Sequence, residues 1–299
     1  MNYRADHDLA GTIDSLFIYP VKSCAGIAVR EARLTATGLE WDRHWMVTDP
    51  HGRFITQREY PRMALIRPAL QTGELILNAP GMAQLHVPTA AEPGRETATP
   101  AATDTVTVTV WKDTVAALDQ GDAAARWFSQ FLQAPCRLVR FDPRFRRLVD
   151  GKWTDGMESI TQFADGFPLL ITSTASVQEI NQRLDAQGQA SIDVRRFRPN
   201  LVLSGIDAHD EDRIDTLFID TESQEAELRP TKPCSRCPIP DIHPDTAEQG
   251  TAVNATLRTY RQDPRVGGAL TFGMNAIPVA GEGVVLRAGQ RIAANLRFD

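Results

Sequence analysis

The chain has 299 residues, of which 42% are hydrophobic and 23% are charged. This composition is typical of a folded globular protein of about two domains, and it excludes disordered, collagen-like and coiled-coil proteins. The formal net charge of -6 argues against general attraction to nucleic acid or anionic lipid. No apolar run is long enough to span a membrane, and residues 1–11 lack the layout of a signal peptide. We therefore expect a cytoplasmic protein without nucleic-acid or membrane partners.

Short strands dominate the first half of the sequence, where apolar and polar residues alternate between turn-forming residues. The predicted strands are 13–18, 27–29, 44–48, 53–57, 75–77, 104–111 and 137–141. Asp49-Pro50-His51-Gly52 predicts a hairpin turn, because proline presets the turn dihedral and glycine supplies a positive φ. Residues 88–103 are rich in Pro, Ala, Thr and Glu and are predicted to form an exposed, mobile loop.

One helix is predicted in this half. Ala124, Trp127, Phe128 and Phe131 recur at helical spacing behind Asp122, which we expect to be the N-cap. Trp127 and Phe128 are expected in the core, since packing explains their spacing. The basic and apolar run 144–148 marks the predicted boundary between an N-terminal α+β domain, 12–142, and a second domain, 143–297.

The second half combines short strands with one or two helices. A strand at 167–171 is predicted to lead into a helix capped near Ser173, with Val177, Ile180 and Leu184 on one face. Further strands are predicted at 201–203, 216–219, 225–228, 269–272 and 283–286. This pattern predicts an antiparallel β-barrel domain, and hence an α+β fold rich in β-structure. The acidic turn 207–212 is expected to be solvated rather than metal-binding.

Four cysteines in a chain of this length are too few for a disulfide scaffold. They are Cys24, Cys136, Cys234 and Cys237. Cys234 and Cys237 form a Cys-x-x-Cys pair, which in a reducing compartment is typical of a metal or redox site. The other two are expected to be inert packing thiols.

Three interpretations of the Cys-x-x-Cys pair stay open. A structural zinc site needs four Cys or His ligands and would have to gather scattered ones such as His243. A thioredoxin-type dithiol needs a helix that begins at the first cysteine, but Pro238 and Pro240 follow and no helical period starts there. The third is a single thiolate that binds a soft, redox-active metal whose other ligands come from a cofactor.

The third interpretation requires a pocket for an anionic cofactor, and candidate pieces of one occur along the chain. Arginine offers phosphate a planar fork of donors, lysine a point charge, and serine and asparagine directional hydrogen bonds. Any one of these charged side chains, taken alone, is typical of an ordinary solvent-exposed residue. Only their combination indicates a binding site. The pieces are Lys22-Ser23, Arg43 and Arg198-Pro199-Asn200.

Five separated motifs occur in order along the chain. They are Tyr19-Pro20-Val21-Lys22-Ser23-Cys24, Gly38-Leu39 with Asp42-Arg43-His44-Trp45, Phe197-Arg198-Pro199-Asn200, Cys234-Ser235-Arg236-Cys237 and Pro244-Asp245-Thr246. In these motifs the chain resembles MOSC-domain proteins and, more narrowly, the mitochondrial amidoxime-reducing component and its bacterial relatives. The resemblance covers residues 12 to 292, and it implies a MOSC-type β-barrel domain behind a MOSC N-terminal domain.

The resemblance also implies a cofactor, molybdenum held by molybdopterin. The metal would be bound by the second cysteine of the pair, Cys237, with Cys234 as a neighbour and not a ligand. Because the implied cofactor-binding residues come from both halves of the chain, we expect the cofactor to lie between two domains. They are Lys22, Ser23, Arg43, Asp165, Gly166, Phe167, Arg198, Asn200, Ser235, Arg236 and Asn275. Asn275 departs from the animal proteins, which carry tyrosine there.

The activity that the resemblance implies is reduction of N-hydroxylated compounds, namely amidoximes, hydroxylamines and N-hydroxylated bases. The sequence has neither a glycine-rich nucleotide motif nor a ferredoxin-type cysteine run, so electrons are expected from a separate haem, flavin or iron-sulfur protein. Two alternatives stay open. One is a protein that binds or carries molybdopterin without turning over an external substrate. The other is a thiol oxidoreductase in which Cys234 and Cys237 are themselves the catalyst.

Overall fold

The structure is a computed structural model that describes residues 7–89, 105–222 and 224–297. The strands in the first half are β1 (Leu9–Ile18), β2 (Ile27–Val29), β3 (Glu31–Thr35), β4 (Gly38–Leu39), β5 (Trp45–Thr48), β6 (Arg67–Gln71), β7 (Glu74–Asn78), β8 (Leu85–Pro88), β9 (Thr105–Val110), β10 (Asp113–Asp119) and β11 (Arg137–Phe141). The loop predicted at 88–103 lies, from residue 90 onward, outside the described residues.

The second half contains ten strands among the described residues. They are β12 (Arg147–Leu148), β13 (Ile160–Thr161), β14 (Leu169–Ser173), β15 (Leu201–Ser204), β16 (Ile214–Ile219), β17 (Ala226–Ser235), β18 (Gln262–Asp263), β19 (Ala269–Ala280), β20 (Val285–Arg287) and β21 (Arg291–Leu296). The α-helices are α1 (Gly121–Leu132), α2 (Thr174–Asp185) and α3 (Ala252–Arg258). Within the described ranges, no helix combines the length and the apolar character needed to cross a membrane.

A closed β-barrel forms the centre of the molecule. Its strands follow one another around the ring in the order β14, β15, β1, β21, β16, β17 and β19, and β19 pairs with β14 to close it. The pairs are antiparallel except β14 with β15, which are parallel and are joined by the crossover helix α2. Apolar side chains such as Ile13, Leu203 and Leu228 fill the core. The predicted α+β fold with a β-barrel is confirmed.

The first strand links the two halves of the chain. Although β1 lies at the start of the sequence, its partners in the barrel are β15 and β21, both from the second half. In addition, β20 pairs with β3. The division into two domains after residue 142 stays a prediction. Strands from the two sides of this boundary are hydrogen-bonded to each other.

The N-terminal half packs a helix against an antiparallel sheet of order β5, β11, β10 and β9. Trp127 and Phe128 of α1 are buried in its core beside Trp45, as predicted. The predicted cap is shifted, because α1 already begins at Gly121 and Asp122 lies in its first turn. The Asp119 carboxylate instead accepts the backbone N–H of Gly121 at 2.7 Å.

The acidic turn 207–212 differs from expectation, because one of its carboxylates is buried. Glu211 is 0% exposed, and its Oε1 accepts hydrogen bonds from the Ser176 hydroxyl at 2.7 Å and from the Ser173 N–H at 3.2 Å. Both serines lie at the start of α2, so the first turn of this helix is hydrogen-bonded to the buried Glu211 side chain. Burial raises the pKa of Glu211 to about 7, and the Asp212 charge adds to this against the Ser176 hydrogen bond.

We expect Glu211→Gln to change the pH dependence of stability. The folded protein holds this proton up to about pH 7, whereas glutamate ordinarily loses it near 4.5, so the folded state binds more protons between these values. The stabilising contribution of Glu211 is therefore full below 4.5 and falls by roughly 3 kcal/mol as the pH rises through 7. Urea unfolding at about pH 4.5 and pH 8 measures it. The variant should gain stability relative to wild type only at the higher pH, and an equal difference at both would contradict the assignment.

Candidate functional site

Lys22 lies in the loop after β1 with its ammonium group almost fully buried. Its Nζ donates hydrogen bonds to the Phe163 carbonyl at 2.8 Å and to Asp165 Oδ1 at 2.5 Å. Burial lowers the pKa of Lys22, and the Asp165 carboxylate opposes that shift. The neighbouring Ser23 is also buried, and its carbonyl accepts a hydrogen bond from Gln57 Nε2 at 2.7 Å. Hydrogen bonds to other segments of the protein thus hold both Lys22 and Ser23 in place.

Asp165 faces solvent and is held by two donors. Besides Lys22, the indole N–H of Trp111 donates to Asp165 Oδ1 at 3.1 Å, and the Arg58 guanidinium lies 4.5 Å from the Trp111 ring. The Lys22 ammonium, in direct contact with the carboxylate, holds the pKa of Asp165 well below its usual range. At the adjacent Gly166, an added Cβ would meet no atom within 4 Å, so this backbone borders open space.

Arg147 holds the backbone that precedes and includes Asp165. Its side chain is 4% exposed and donates to the carbonyls of Gln162 at 2.7 Å, Ala164 at 2.5 Å and Asp165 at 3.1 Å. A fourth bond joins its Nε to Asp113 at 2.8 Å. No pattern in the sequence marks Arg147 as a positioning residue, since the basic run 144–148 predicts only a domain boundary.

Arg43 belongs to a hydrogen-bonded group that connects the two halves of the chain. Its Nη1 donates to Asp42 at 2.5 Å and to Asn200 Oδ1 at 3.2 Å, and its Nη2 donates to the Arg198 carbonyl at 3.3 Å. The side chain of Asn200 also accepts from the Leu170 N–H at 3.0 Å. In the structure Asn200 therefore orients Arg43, and direct contact of Asn200 with a cofactor stays a prediction.

Tyr19 lies between two arginines. Its ring centroid is 4.3 Å from the Arg43 guanidinium carbon and 4.2 Å from that of Arg198. Arg198 Nη1 also donates to the Cys24 carbonyl at 2.7 Å. Burial lowers the pKa of Arg198 to about 10, so the side chain is still a cation at neutral pH. Two positive charges are therefore held close together at the junction of the two halves.

Three predicted site residues have a left-handed backbone conformation that non-glycine residues rarely adopt. The φ angles are 66° at Ser23, 52° at Arg43 and 59° at Arg198. Such conformations carry a cost in free energy and concentrate at functional sites, where the surrounding structure enforces them. The strain at these three positions supports a shared functional role.

The two cysteines of the Cys-x-x-Cys pair have different surroundings. The register of β17 with β19 shifts between Pro233 and Ser235, which places a bulge at Cys234. Arg236 Nη1 donates to Cys234 Sγ at 3.0 Å and its Nη2 to the Phe197 carbonyl at 2.9 Å. By contrast, Cys237 Sγ makes no hydrogen bond to any described residue, and both thiols are free and partly exposed. Cys237 is thus the sulfur left available to a ligand.

The pair lacks the surroundings that a dithiol catalyst or a zinc site requires. A short 3₁₀ helix, Ile239–Asp241, follows it, and α3 begins only at Ala252, so neither cysteine starts an α-helix. In residues 7–89, 105–222 and 224–297, no three His, Cys, Asp or Glu side chains are grouped to hold a metal ion.

Backbone contacts join these groups into one region. The Phe163 N–H donates to the Arg43 carbonyl at 3.2 Å while its own carbonyl binds Lys22, and Phe197 links Arg236 to the adjacent Arg198. Asn275 of β19 is the register partner of Leu170, whose N–H binds Asn200. Phe167 lies two residues before β14 and is buried, whereas Ser235 is exposed at the end of β17. The assignment of these residues to a cofactor stays a prediction.

Two protein-family descriptions match the chain: "MOSC N-terminal beta barrel domain" over residues 10–135 and "MOSC domain" over residues 158–293. The human mitochondrial amidoxime-reducing component 1 is 36% identical over 263 residues, which are 85% of this chain and 73% of the human protein. The human mitochondrial amidoxime reducing component 2 is 34% identical over 260 residues, which are 84% and 72% of the two chains. A solved structure, the YUAD protein from Bacillus subtilis, is similar over 97% of this chain and 98% of its own, with 12% identity and a TM-score of 0.42.

Proposed function

The chain belongs to the MOSC family, as its sequence motifs indicated, and from this we propose that it reduces N-hydroxylated compounds with a molybdenum–molybdopterin cofactor. Its substrates in this proposal are amidoximes, hydroxylamines and N-hydroxylated bases, which are converted to the corresponding N–H compounds. The observation that carries the proposal is a free thiol, Cys237, that follows Arg236, whose side chain binds the carbonyl of Phe197 just before Arg198 in the cation group shared by both halves of the chain.

The side chains of this region fit such a cofactor. A single available thiolate suits a metal whose remaining ligands come from a dithiolene, and arginine and lysine suit a phosphate. One polar atom of the Cys-x-x-Cys segment, Arg236 Nε, is buried without a partner among the described residues. Buried donors are normally hydrogen-bonded, so this atom supports a ligand in the region.

Each proposed contact has a role in binding or orientation. Cys237 is the proposed metal ligand, and when bound the molybdenum supplies the two-electron redox chemistry. The cationic side chains replace the hydration of the cofactor's phosphate, and Asp165 keeps the buried Lys22 in place. The proposed pterin-binding residues are Lys22, Ser23, Arg43, Asp165, Gly166, Phe167, Arg198, Asn200, Ser235, Arg236 and Asn275.

The electron donor in this proposal is a separate haem, flavin or iron-sulfur protein. Support comes from the sequence, which has no glycine-rich nucleotide motif and no cysteine run for an iron-sulfur cluster. A protein that only binds or carries the cofactor is the second candidate, since the same contacts would serve it. Turnover of an external substrate distinguishes the two.

Elemental analysis and an activity assay test the proposal together. The protein is purified from a host that makes molybdopterin, and Mo, Zn, Fe and pterin are quantified. We expect about one Mo and one pterin per chain, reduction of benzamidoxime with reduced viologen, and no turnover with NADH alone. Bound Mo without reduction of any N-hydroxylated compound would favour the carrier, whereas stoichiometric Zn or direct NADH oxidation would contradict the proposal.

A further inference from the structure

A cavity of about 360 Å³ lies between the two halves of the chain, beside the strained Arg198. Its first-half wall includes β2 and Gln57, and its second-half wall includes the segment 239–245 that follows Cys237. Most of the wall is apolar, formed by alanine, isoleucine and proline side chains. The charged residues in the wall are Arg67, Arg195, Arg196, Arg198 and Asp245.

The wall has an excess of positive charge. Its one carboxylate, Asp245, accepts two hydrogen bonds from Arg195, at 3.1 and 2.9 Å, and one from Arg67 at 3.4 Å. Among the described residues, the hydrogen bonds of Arg196 and Arg198 go to backbone carbonyls, those of Pro240 and Cys24. Arg195 Nε also pairs with Asp193, outside the wall, at 3.1 Å, and the wall itself contains four cations and one carboxylate.

A buried hydroxyl in the same wall has no partner. Tyr19 is 1% exposed, and its Oη makes no hydrogen bond to any described residue. Its ring is fixed by the two arginines and by Gly26, where an added Cβ would lie 2.4 Å from a ring carbon. Because a side chain so constrained cannot turn to find a partner, the unpaired hydroxyl points to a ligand in the cavity.

We propose that this cavity is an anion-binding substrate pocket, which selects N-hydroxylated compounds that carry a carboxylate on an aromatic body. The inference rests on the proposed function and names its substrate class. A carboxylate matches the planar donor fork of Arg195, the apolar wall matches an aromatic ring, and Tyr19 Oη supplies a further donor. Asp245 pairs with the same fork, so a bound carboxylate competes with it.

Titration calorimetry on the holoprotein, without reductant, tests the pocket with benzamidoxime and 4-carboxybenzamidoxime. The carboxylate compound should bind at least about tenfold more tightly, because charged hydrogen bonds contribute that much. Arg195→Gln should abolish this preference, and Tyr19→Phe should weaken only the carboxylate compound. Asp245→Asn should strengthen carboxylate binding, since it frees Arg195 and Arg67. Arg213→Gln, the same loss of charge on an arginine outside the cavity wall, is the control.

The outcomes separate this pocket from the proposed function. Equal binding of the two compounds to the wild type, or equal weakening of both by Arg195→Gln, would overturn the pocket. Loss of Mo or pterin from Arg195→Gln would assign the cavity to the cofactor and would overturn it as well. Selective carboxylate binding by a protein that reduces neither compound would support the anion pocket and contradict the proposed reductase.

Discussion

Cys237→Ala is expected to remove bound molybdenum and to abolish reduction of N-hydroxylated compounds, while the free energy of unfolding changes by less than about 1 kcal/mol. The thiol of Cys237 is partly exposed and makes no hydrogen bond to the described residues, so its loss leaves no buried group unpaired. We expect no other side chain to take over as metal ligand, because the Cys234 sulfur already accepts a hydrogen bond from Arg236. Metal content by mass spectrometry and urea unfolding measure the two effects separately.

Cys234→Ala is the matched control for that experiment. It removes a thiol of the same motif and the same partial exposure, and we expect it to retain most of the metal. The freed Arg236 keeps its bond to the Phe197 carbonyl, so the loop should stay ordered. If molybdenum content instead followed Cys234, the ligand assignment would be wrong, and loss of stoichiometric zinc from both variants would point to a structural metal.

Arg43→Ala is expected to release the cofactor and, independently, to destabilise the fold by about 3 to 5 kcal/mol. The Asp42 side chain that pairs with Arg43 is 1% exposed, so the substitution leaves a buried carboxylate without its partner cation. Burial raises the pKa of Asp42 and Arg43 opposes the shift, so the pKa rises further in the variant. Its deficit in stability should therefore grow as the pH rises, which urea unfolding across pH detects.

Arg198→Gln is a cleaner test of cofactor binding than Arg43→Ala, because Arg43 also stabilises the buried Asp42 carboxylate. The Arg198 side chain donates to the Cys24 carbonyl and forms no ion pair with a carboxylate of the described residues, so its removal leaves none of their buried acids without a partner. We expect pterin retention to weaken by roughly 1.5 to 3 kcal/mol with a much smaller change in unfolding. The double variant Asp42→Asn with Arg43→Gln should recover stability but not pterin. Unchanged pterin content after dialysis of Arg198→Gln and of this double variant would contradict the proposed interdomain phosphate site.

Local patterns were sufficient to predict the fold class, α1, α2 and many of the strands, but not β6, β10 or α3. The alternation of residues 104–111 predicted β9, and the spacing of Trp127 and Phe128 predicted the buried face of α1. Patterns of this kind report which face of an element is buried, so they could not show that Glu211 lies under the start of α2. Likewise, nothing in the sequence around β1 identifies β21 as its partner.

The candidate site was predictable only in part, and for a physical reason. The motifs indicated which side chains carry suitable chemistry, whereas the geometry depends on contacts between distant segments. Arg147 binds three carbonyls between residues 162 and 165, and Tyr19 lies between Arg43 and Arg198, and no spacing in the sequence encodes either arrangement. The roles of the predicted residues toward a cofactor stay predictions that the variants above test.

The pairing of β1 with β21 has a consequence for the order of events during synthesis. Leu9 pairs with Ala294, so the strand that leads into Lys22 finds one of its neighbours only after residue 294 has left the ribosome. Contacts this distant in sequence form slowly, because a long loop must close before they stabilise anything. The cation group around Arg43 includes Arg198 and Asn200, so it cannot assemble before residue 200 has emerged. In the proposed function, the cofactor would therefore enter after this group and the barrel have formed.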